Sequence, residues 1–384
     1  MNGSISPRDA ASLAMNVYDV SDQFFIKALI KKYNFLSDKA SSLKAEVGSR
    51  LINTRAGFGI CIRGADIHEN DVFLMFRGTT LSNYGADIVT DARLGVERSK
   101  TGLSVHIGFH HAFCSMLPEI ETFLRAQQSA TGTVHCIGHS LGGAVAALAA
   151  DWLSSQGRQV KLYTFGAPKP GLECFAETLT KRVGTNNIFR VYHSTDVVPM
   201  VPVYPFSHSP TDHCGYQIPS GGFVSFAAHK ITNYLKSVEN QSWLAMKNMG
   251  EKTAHEASIE YWLKSEKSLN SADPRTWERL NAGLVWVLRR LIGSTAVYFQ
   301  SPVMTSLSLA DKIAWILRRG IDLTVDAGTW VLNLMRKIML ALGMKAVKTV
   351  AELTEQFMRS ILMRLINRMG NEAQRAIQGL MNKL

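Results

Sequence analysis

The stretch Thr133–Leu153, TVHCIGHSLGGAVAALAADWL, sets a single serine between an apolar run and a run of alanines. It restricts the fold more tightly than any other part of the chain. Val134 to Ile137 read as a short buried strand, and Ala144 to Leu153 are nearly all strong helix formers, so a strand turns straight into a helix. Glycines flank the serine because a turn this tight brings strand and helix too close for side chains. Gly138-His139-Ser140-Leu141-Gly142 fits the pattern G-x-S-x-G, in which the serine takes a strained backbone conformation that lifts its hydroxyl clear of the sheet. The helix N-terminus, with its free N–H groups, then lies just behind it. A small-residue turn with an incidental serine would satisfy the pentapeptide too, so the rest of the chain must supply the context.

With 384 residues and 46% apolar content, the chain is long enough for two domains or one large one with a substantial core. The five cysteines, Cys61, Cys114, Cys136, Cys174 and Cys214, are widely spaced and form no CxxC pair, which reads as reduced, buried thiols. No convincing metal cluster is visible, and no cofactor motif. The start, MNGSISPRDAASLAMNVYD, lacks a basic segment followed by an apolar core. The expectation is cytoplasmic residence in the producing cell, with export only by a signal-independent route.

Charge divides unevenly. Residues 251–384 carry 19 Lys/Arg against 12 Asp/Glu, a net of +7, out of +11 for the whole chain. The interspersed Trp, Leu and Met favour an anionic membrane surface or a partner protein over nucleic acid. Ser6-Pro7 marks a helix start, and a helical segment with breaks is expected to about Leu51. Strand-like runs follow at 58–64 and 71–80, split by a polar turn at 68–70, and then, alternating with helical stretches, at 134–137, within 160–171 and within 187–199, the signature of a parallel sheet covered by helices. Past about Asn248 the strand-like blocks disappear. There Val350, Leu353, Phe357, Ile361, Leu365, Met369, Ala373, Ile377, Leu380 and Leu384 form an amphipathic stripe. The uncharged stretch 291–310 holds Gln300, Pro302 and six Ser/Thr, too polar for a membrane span. The expected domains are 1–250, an α/β unit with an N-terminal helical segment, and 251–384, a basic amphipathic helical unit.

A serine hydroxyl needs a base to take its proton, and a histidine base needs a carboxylate to hold it. Asp196 follows a strand and precedes Val197-Val198-Pro199, the kind of strand-end loop where function collects in open α/β sheets. Asp151 and Glu173 sit on helices and read as solvated, which leaves Asp212 as the competing acid. Among the histidines after Ser140, His229 at a helix start and His213 in a Pro-rich loop are the two candidates for the base, with His229 ahead. The oxyanion hole needs two N–H donors. Leu141, the residue after the nucleophile, supplies one, and Thr79, in the strand-ending FRGTT, is the natural second.

FRGTT (76–80), VHIGFHHAF (105–113), GHSLGG (138–143), TFGAPKPG (164–171) and RVYHSTDVVP (190–199) together resemble, in sequence and in order, the class 3 lipase family. The resemblance implies an α/β-hydrolase with a central, mostly parallel sheet, to which this chain adds an all-helical C-terminal region. It implies Ser140 as nucleophile, Asp196 as acid, and Thr79 with Leu141 as oxyanion donors. It favours His229 over His213, because AHKITNYL resembles the family's helix start after the catalytic histidine. Asp87 and Asp91 resemble the family's D-W-x-x-D segment with Ile88 in place of Trp, which puts lid behaviour there in question. The implied substrate is a lipid or phospholipid ester, with no metal in the scheme. Val201, Val203, Tyr204, Phe206, Phe223 and Phe226 are candidates for the apolar mouth, if they are not simply core. SPRDAASLAMNVYDV and the helical extension resemble bacterial phospholipases exported as type VI secretion effectors. That second likeness implies an immunity protein and the secretion machinery as partners.

Overall fold

A computed structural model of the chain describes residues 3–19, 23–36, 40–49, 52–78, 95–212, 215–220, 223–247, 249, 256–266, 269–292 and 308–378. Seven strands form the main sheet: β1 (Ala40–Ser49), β2 (Ile52–Arg63), β3 (Val72–Phe76), β4 (Val134–His139), β5 (Val160–Phe165), β6 (Ile188–His193) and β7 (Tyr216–Ile218). Their order across the sheet is also their order along the chain. From β3 to β7 every neighbouring pair is parallel, whereas β1, β2 and β3 pair antiparallel at the other edge. The parallel strands are buried along nearly their whole length, as a sheet covered on both faces requires. A smaller four-stranded sheet, made of Val96–Arg98, Ser104–His106, Gly171–Leu172 and Phe206–Ser207, stands beside it.

Alternation within each strand sends side chains to two cores. From β3, Phe73 and Met75 join Ile137, Tyr163, Phe165 and Phe189 on one face. That face is covered by α1 (Pro7–Asn16), α2 (Gln23–Tyr33) and, after β7, by the Ile231–Val238 helix. Leu74 and Phe76 go to the opposite face, against α3 (Ile107–Ala126), α4 (Leu141–Ser155) and α5 (Glu173–Val183). Ser6 caps α1 as expected, its Oγ accepting from the Asp9 N–H at 3.1 Å. The helical reading fails past Tyr33, because Ala40–Ser49 is a strand paired with β2. Leu43 and Ala45 are buried between exposed Ser42 and Lys44, a period of two that outweighs the lysine-rich helical pattern before it.

With Ile231–Val238 as α6, the remaining helices are α7 (Trp243–Lys247), α8 (Glu256–Lys264), α9 (Pro274–Ile292), α10 (Leu309–Ile321), α11 (Val325–Ala341) and α12 (Glu355–Gln378). Among the described residues no strand lies beyond 250. The apolar stripe is present, but it is not a free surface. Leu353, Ile361, Leu365, Met369, Ala373 and Ile377 are all buried, and they belong to the same continuous apolar cluster as α3, α4 and β3. Each such Leu or Ile side chain contributes about 1.5–3 kcal/mol by leaving water. The region is also pinned to the α/β part by polar contacts. The Val224 N–H donates to the Ala272 carbonyl at 3.0 Å, the Tyr204 N–H donates to Asn281 Oδ1 at 3.0 Å, and Arg289 pairs with Glu173. No described helix is long and apolar enough to cross a membrane. Most of the stretch 291–310 lies outside the described residues.

Two acids expected to be solvated are not. Asp151 is 1% exposed, ion-paired with Arg182 at 2.7 Å and bonded by Thr101, while Glu173 accepts from the Tyr204 hydroxyl at 2.9 Å as well as from Arg289. Both helices turn their acidic residue toward a neighbouring element, which helix periodicity alone does not reveal. Cys61, Cys114, Cys136 and Cys174 form no disulfide. Cys214 lies outside the described residues.

Candidate active site

Ser140 stands between β4 and α4 at φ +55° and ψ −131°, one of the few described non-glycine residues with positive φ. Such a conformation costs on the order of 1–3 kcal/mol and persists only where the surroundings enforce it. They do so through the glycines. A Cβ on Gly138 would come within 2.2 Å of the Gly142 carbonyl oxygen, and one on Gly142 within 2.2 Å of the Phe76 carbonyl oxygen. Leu141, expected as an oxyanion donor, is the first residue of α4, where backbone N–H groups have no partner within the helix. Thr79, the expected second donor, lies outside the described residues, as do Asp87, Ile88, Asp91 and the rival base His213.

The structure brings Ser140, His229 and Asp196 together. His229 Nε2 lies 2.9 Å from Ser140 Oγ, and His229 Nδ1 lies 2.8 Å from Asp196 Oδ2, with all three side chains buried. Asp196 follows β6 at the C-terminal edge of the sheet. His229 ends the short turn Phe226–His229 just before α6, so the two loops meet over the serine. Asp212, the competing acid, is exposed and accepts from Thr185 instead.

Burial alone would push the Asp196 carboxyl up. The adjacent His229, the Tyr234 hydroxyl donating at 2.7 Å and the Val198 N–H donating at 2.9 Å outweigh it and hold the group below its usual range. Asp196 therefore stays an anion, able to orient an imidazole and to stabilise its charged form.

The backbone of the histidine segment is held by two further imidazoles that sequence reading did not single out. His139 Nε2 faces the His229 carbonyl at 2.8 Å, and His193 Nδ1 faces the Ala228 carbonyl at 2.7 Å. A carbonyl only accepts, so both nitrogens carry the proton. His139 Nδ1 is left to accept from the Tyr18 hydroxyl at 2.6 Å, and His193 Nε2 from Ser237 Oγ at 3.0 Å. Burial and the nearby His229 push His139 down to about 3, which keeps it neutral in this relay. Tyr18 also packs against the strand-end loop, since a Cβ on Gly78 would lie 2.2 Å from its hydroxyl. The residue between Gly138 and Ser140 was in plain view, whereas Tyr18 and Tyr234 gave no local signal.

Lys169 anchors the segment after Asp196. Its buried Nζ donates to the Met200 carbonyl at 3.0 Å and the Pro202 carbonyl at 2.9 Å. Of the six candidates for an apolar mouth, Val201, Val203, Tyr204 and Phe206 are core residues, and only Phe223 and Phe226 are exposed. A cavity of about 180 Å³ opens at Val197, the residue after Asp196, where Val197, Met200, Val224 and Phe226 meet Trp277, Met369 and the ion pair of Arg368 with Glu372 from the helical region.

Residues 73–206, which include Ser140 and Asp196, match the family described as lipase (class 3). Over that segment the chain is similar to the class 3 lipase family. A secreted mono- and diacylglycerol lipase of Fusarium solani is 32% identical over 170 residues, 43% of this chain and 49% of that protein. The chain therefore spans about half the length of that relative. The secreted mono- and diacylglycerol lipase MDL3 of Malassezia globosa is 28% identical over 56% of this chain and 74% of its own length. The chloroplastic phospholipase A(1) DAD1 of Arabidopsis thaliana is 32% identical over 35% of this chain and 34% of its own. Among solved structures, the lipase of Rhizopus microsporus var. chinensis aligns over 56% of this chain and 72% of its own, at 23% identity and a TM-score of 0.39.

One expectation falls here. Cytoplasmic residence, expected from the lack of a basic-then-apolar start, is overturned by three similar proteins that are named secreted lipases. The composition of those first residues bears on one export route only and does not fix where the protein works.

Proposed function

We propose that the chain is a carboxylic ester hydrolase acting on lipids outside the cell that makes it, with Ser140 as nucleophile, His229 as general base and Asp196 as the orienting carboxylate. The observation that carries this reading is the continuous hydrogen-bonded line from Ser140 Oγ through His229 to Asp196, ending at a serine held in a strained turn. Ser140 Oγ attacks the ester carbonyl as His229 Nε2 takes its proton, and the developing oxyanion receives the Leu141 N–H, with Thr79 as the proposed second donor. The C–O bond to the alcohol breaks as His229 returns the proton to the leaving oxygen. Water, deprotonated by the same imidazole, then releases the fatty acid from Ser140.

The finer reading is a phospholipase of the A1 or A2 type. The cavity at Val197, walled by Met200, Val224, Phe226, Trp277 and Met369, suits an acyl chain. Basic residues on the outer faces of α9 to α12 supply the attraction to an anionic bilayer, at about 1 kcal/mol per residue near the surface. The likeness of residues 6–20 to type VI secretion phospholipases adds delivery into a competing cell and an immunity protein as partner.

The test is purified protein, and its Ser140→Ala variant, against a short-chain ester, a triglyceride and anionic phospholipid vesicles. Loss of all three activities in the variant is expected, and retained hydrolysis of any would overturn the assignment. Release of fatty acid from triglyceride but not from phospholipid would discard the phospholipase reading alone. Vesicle activity that does not fall with added salt would discard the electrostatic docking. Equal killing of competitor cells by wild-type and Ser140→Ala producers would discard the effector role.

A further inference from the structure

At the end of the sheet away from Ser140, three side chains converge on one carboxylate. His68 closes the short turn Asp66–His68, Asp71 directly precedes β3, and His135 is the second residue of β4. Asp71 Oδ2 lies 2.6 Å from His68 Nδ1 and 3.3 Å from His135 Nε2. One ligand atom from each of the three residues falls within 4.8 Å of the others, and no other group of such residues does so among the described ones. From His135 to Ser140 the strand covers about 16 Å, so this cluster takes no part in the ester chemistry.

Each group is already oriented by its neighbours. Asp71 Oδ1 accepts from the Thr133 N–H at 2.7 Å, which leaves Oδ2 facing the imidazoles. The buried His135 ring is stacked on Phe73 at 4.6 Å and on Tyr163 at 5.9 Å, and the His68 ring stands edge-on to it at 5.5 Å. Metal bonds of about 2.0–2.1 Å at tetrahedral angles put ligand atoms about 3.3 Å apart. His135 and Asp71 are at that separation, and His68 has to draw back by roughly 0.7 Å to reach it. It sits on a turn and its side chain is 20% exposed, so the shift is small for it, and the open side leaves room for a water as fourth ligand.

We propose that His68, Asp71 and His135 bind one divalent transition-metal ion, with Zn²⁺ the best match. Two imidazoles and one carboxylate with an open position suit zinc, whereas Mg²⁺ and Ca²⁺ take all-oxygen sets. Lys161, on the adjacent strand, exerts its charge on the same carboxylate, so the affinity is lower than that of a closed four-ligand site. The bound ion ties the 66–68 turn to two central strands and stabilises the sheet without touching catalysis.

The experiment uses the full chain, stripped of metal by a chelator, titrated with Zn²⁺ by calorimetry and with Co²⁺ by visible absorption. One equivalent of Zn²⁺ should bind, Co²⁺ should show the visible bands of a four- or five-coordinate site, and Zn²⁺ should raise the melting temperature. His68→Ala should weaken binding at least tenfold and leave ester hydrolysis unchanged, and Asp71→Asn should remove the Co²⁺ bands. Lack of saturable uptake of either ion by the wild-type chain overturns the proposal. So does uptake of equal strength in both variants, which would mean adventitious binding to other histidines.

Discussion

Around Ser140 the chain buries His139, His193, Asp196, His229 and Tyr234, and every one is hydrogen-bonded to another member of the group or to the backbone beside it. Among helices α8 to α12, the described buried polar side chains are Thr276, Lys312 and Lys337. Thr276 donates to the Asn270 carbonyl and Lys337 to the Ser265 carbonyl, each serving the end of a neighbouring helix or loop. A buried polar network destabilises a core unless every member is satisfied. Its concentration at one end of the sheet, and its absence from an equally buried helical region, separates a part built to do chemistry from a part built to pack.

The sharpest way to break that contrast is a pair of substitutions. His229→Ala should lower kcat about a million-fold, as loss of one member of a cooperating triad does, and should also lower the melting temperature, because Asp196 is left buried without its imidazole partner. Lys337→Met, equally buried, should leave kcat within about twofold, since only packing and a loop contact are altered. Comparable losses from both would erase the distinction. His213→Ala should likewise keep most of the activity, and a collapse there would move the base to that residue.

A second prediction concerns the continuous apolar cluster. Ending the chain after Lys247 strips the cover from Val197, Met200 and Val224, so the shortened protein should be insoluble or lack a cooperative melting transition. A soluble, active product would mean that the helices are a detachable module. Smaller still, Tyr18→Phe leaves His139 Nδ1 buried without its donor, at about 1–3 kcal/mol. Hydrolysis should fall roughly tenfold in kcat with KM unchanged; an equal change in KM would point to a role in substrate binding.

The smallest effect is one of pH on stability. Burial, helped by the Arg190 charge, pushes Lys169 down to about 7 in the folded chain. The unfolded chain keeps that proton to about pH 10.4. Between these values the unfolded state binds more protons, so this residue makes stability rise with pH from about 7 toward 10, and below 7 its contribution is flat. Urea midpoints across that window should lose this slope in Lys169→Met.

Ser140, Asp196 and His229 were legible because each is tied to local punctuation: a glycine-flanked turn, the end of a strand, the start of a helix. Tyr18 and Tyr234 were not, since they reach their partners across 121 and 38 residues of chain. The stripe Leu353 to Ile377 was legible as one helical face, but a pattern of apolar residues does not say whether protein or lipid covers it. His68 and Asp71 meet His135 only because β3 and β4 pair in parallel with Phe73 opposite His135. The strand Ala40–Ser49 was hidden by a helical run that ends only a few residues before it.

The tyrosine that supports His139 precedes His229 by some two hundred residues, and the helices that close the apolar cluster follow after that. At about 5–20 residues per second, a growing chain therefore spends many seconds with the nucleophile turn in existence but its base and its cover not yet synthesised. Ribosome-bound chains stalled before Glu355 should show no esterase activity. Assembled in this order, the chain holds no complete line from Ser140 through His229 to Asp196 until the histidine segment has been made, and no full apolar cover until the later helices follow.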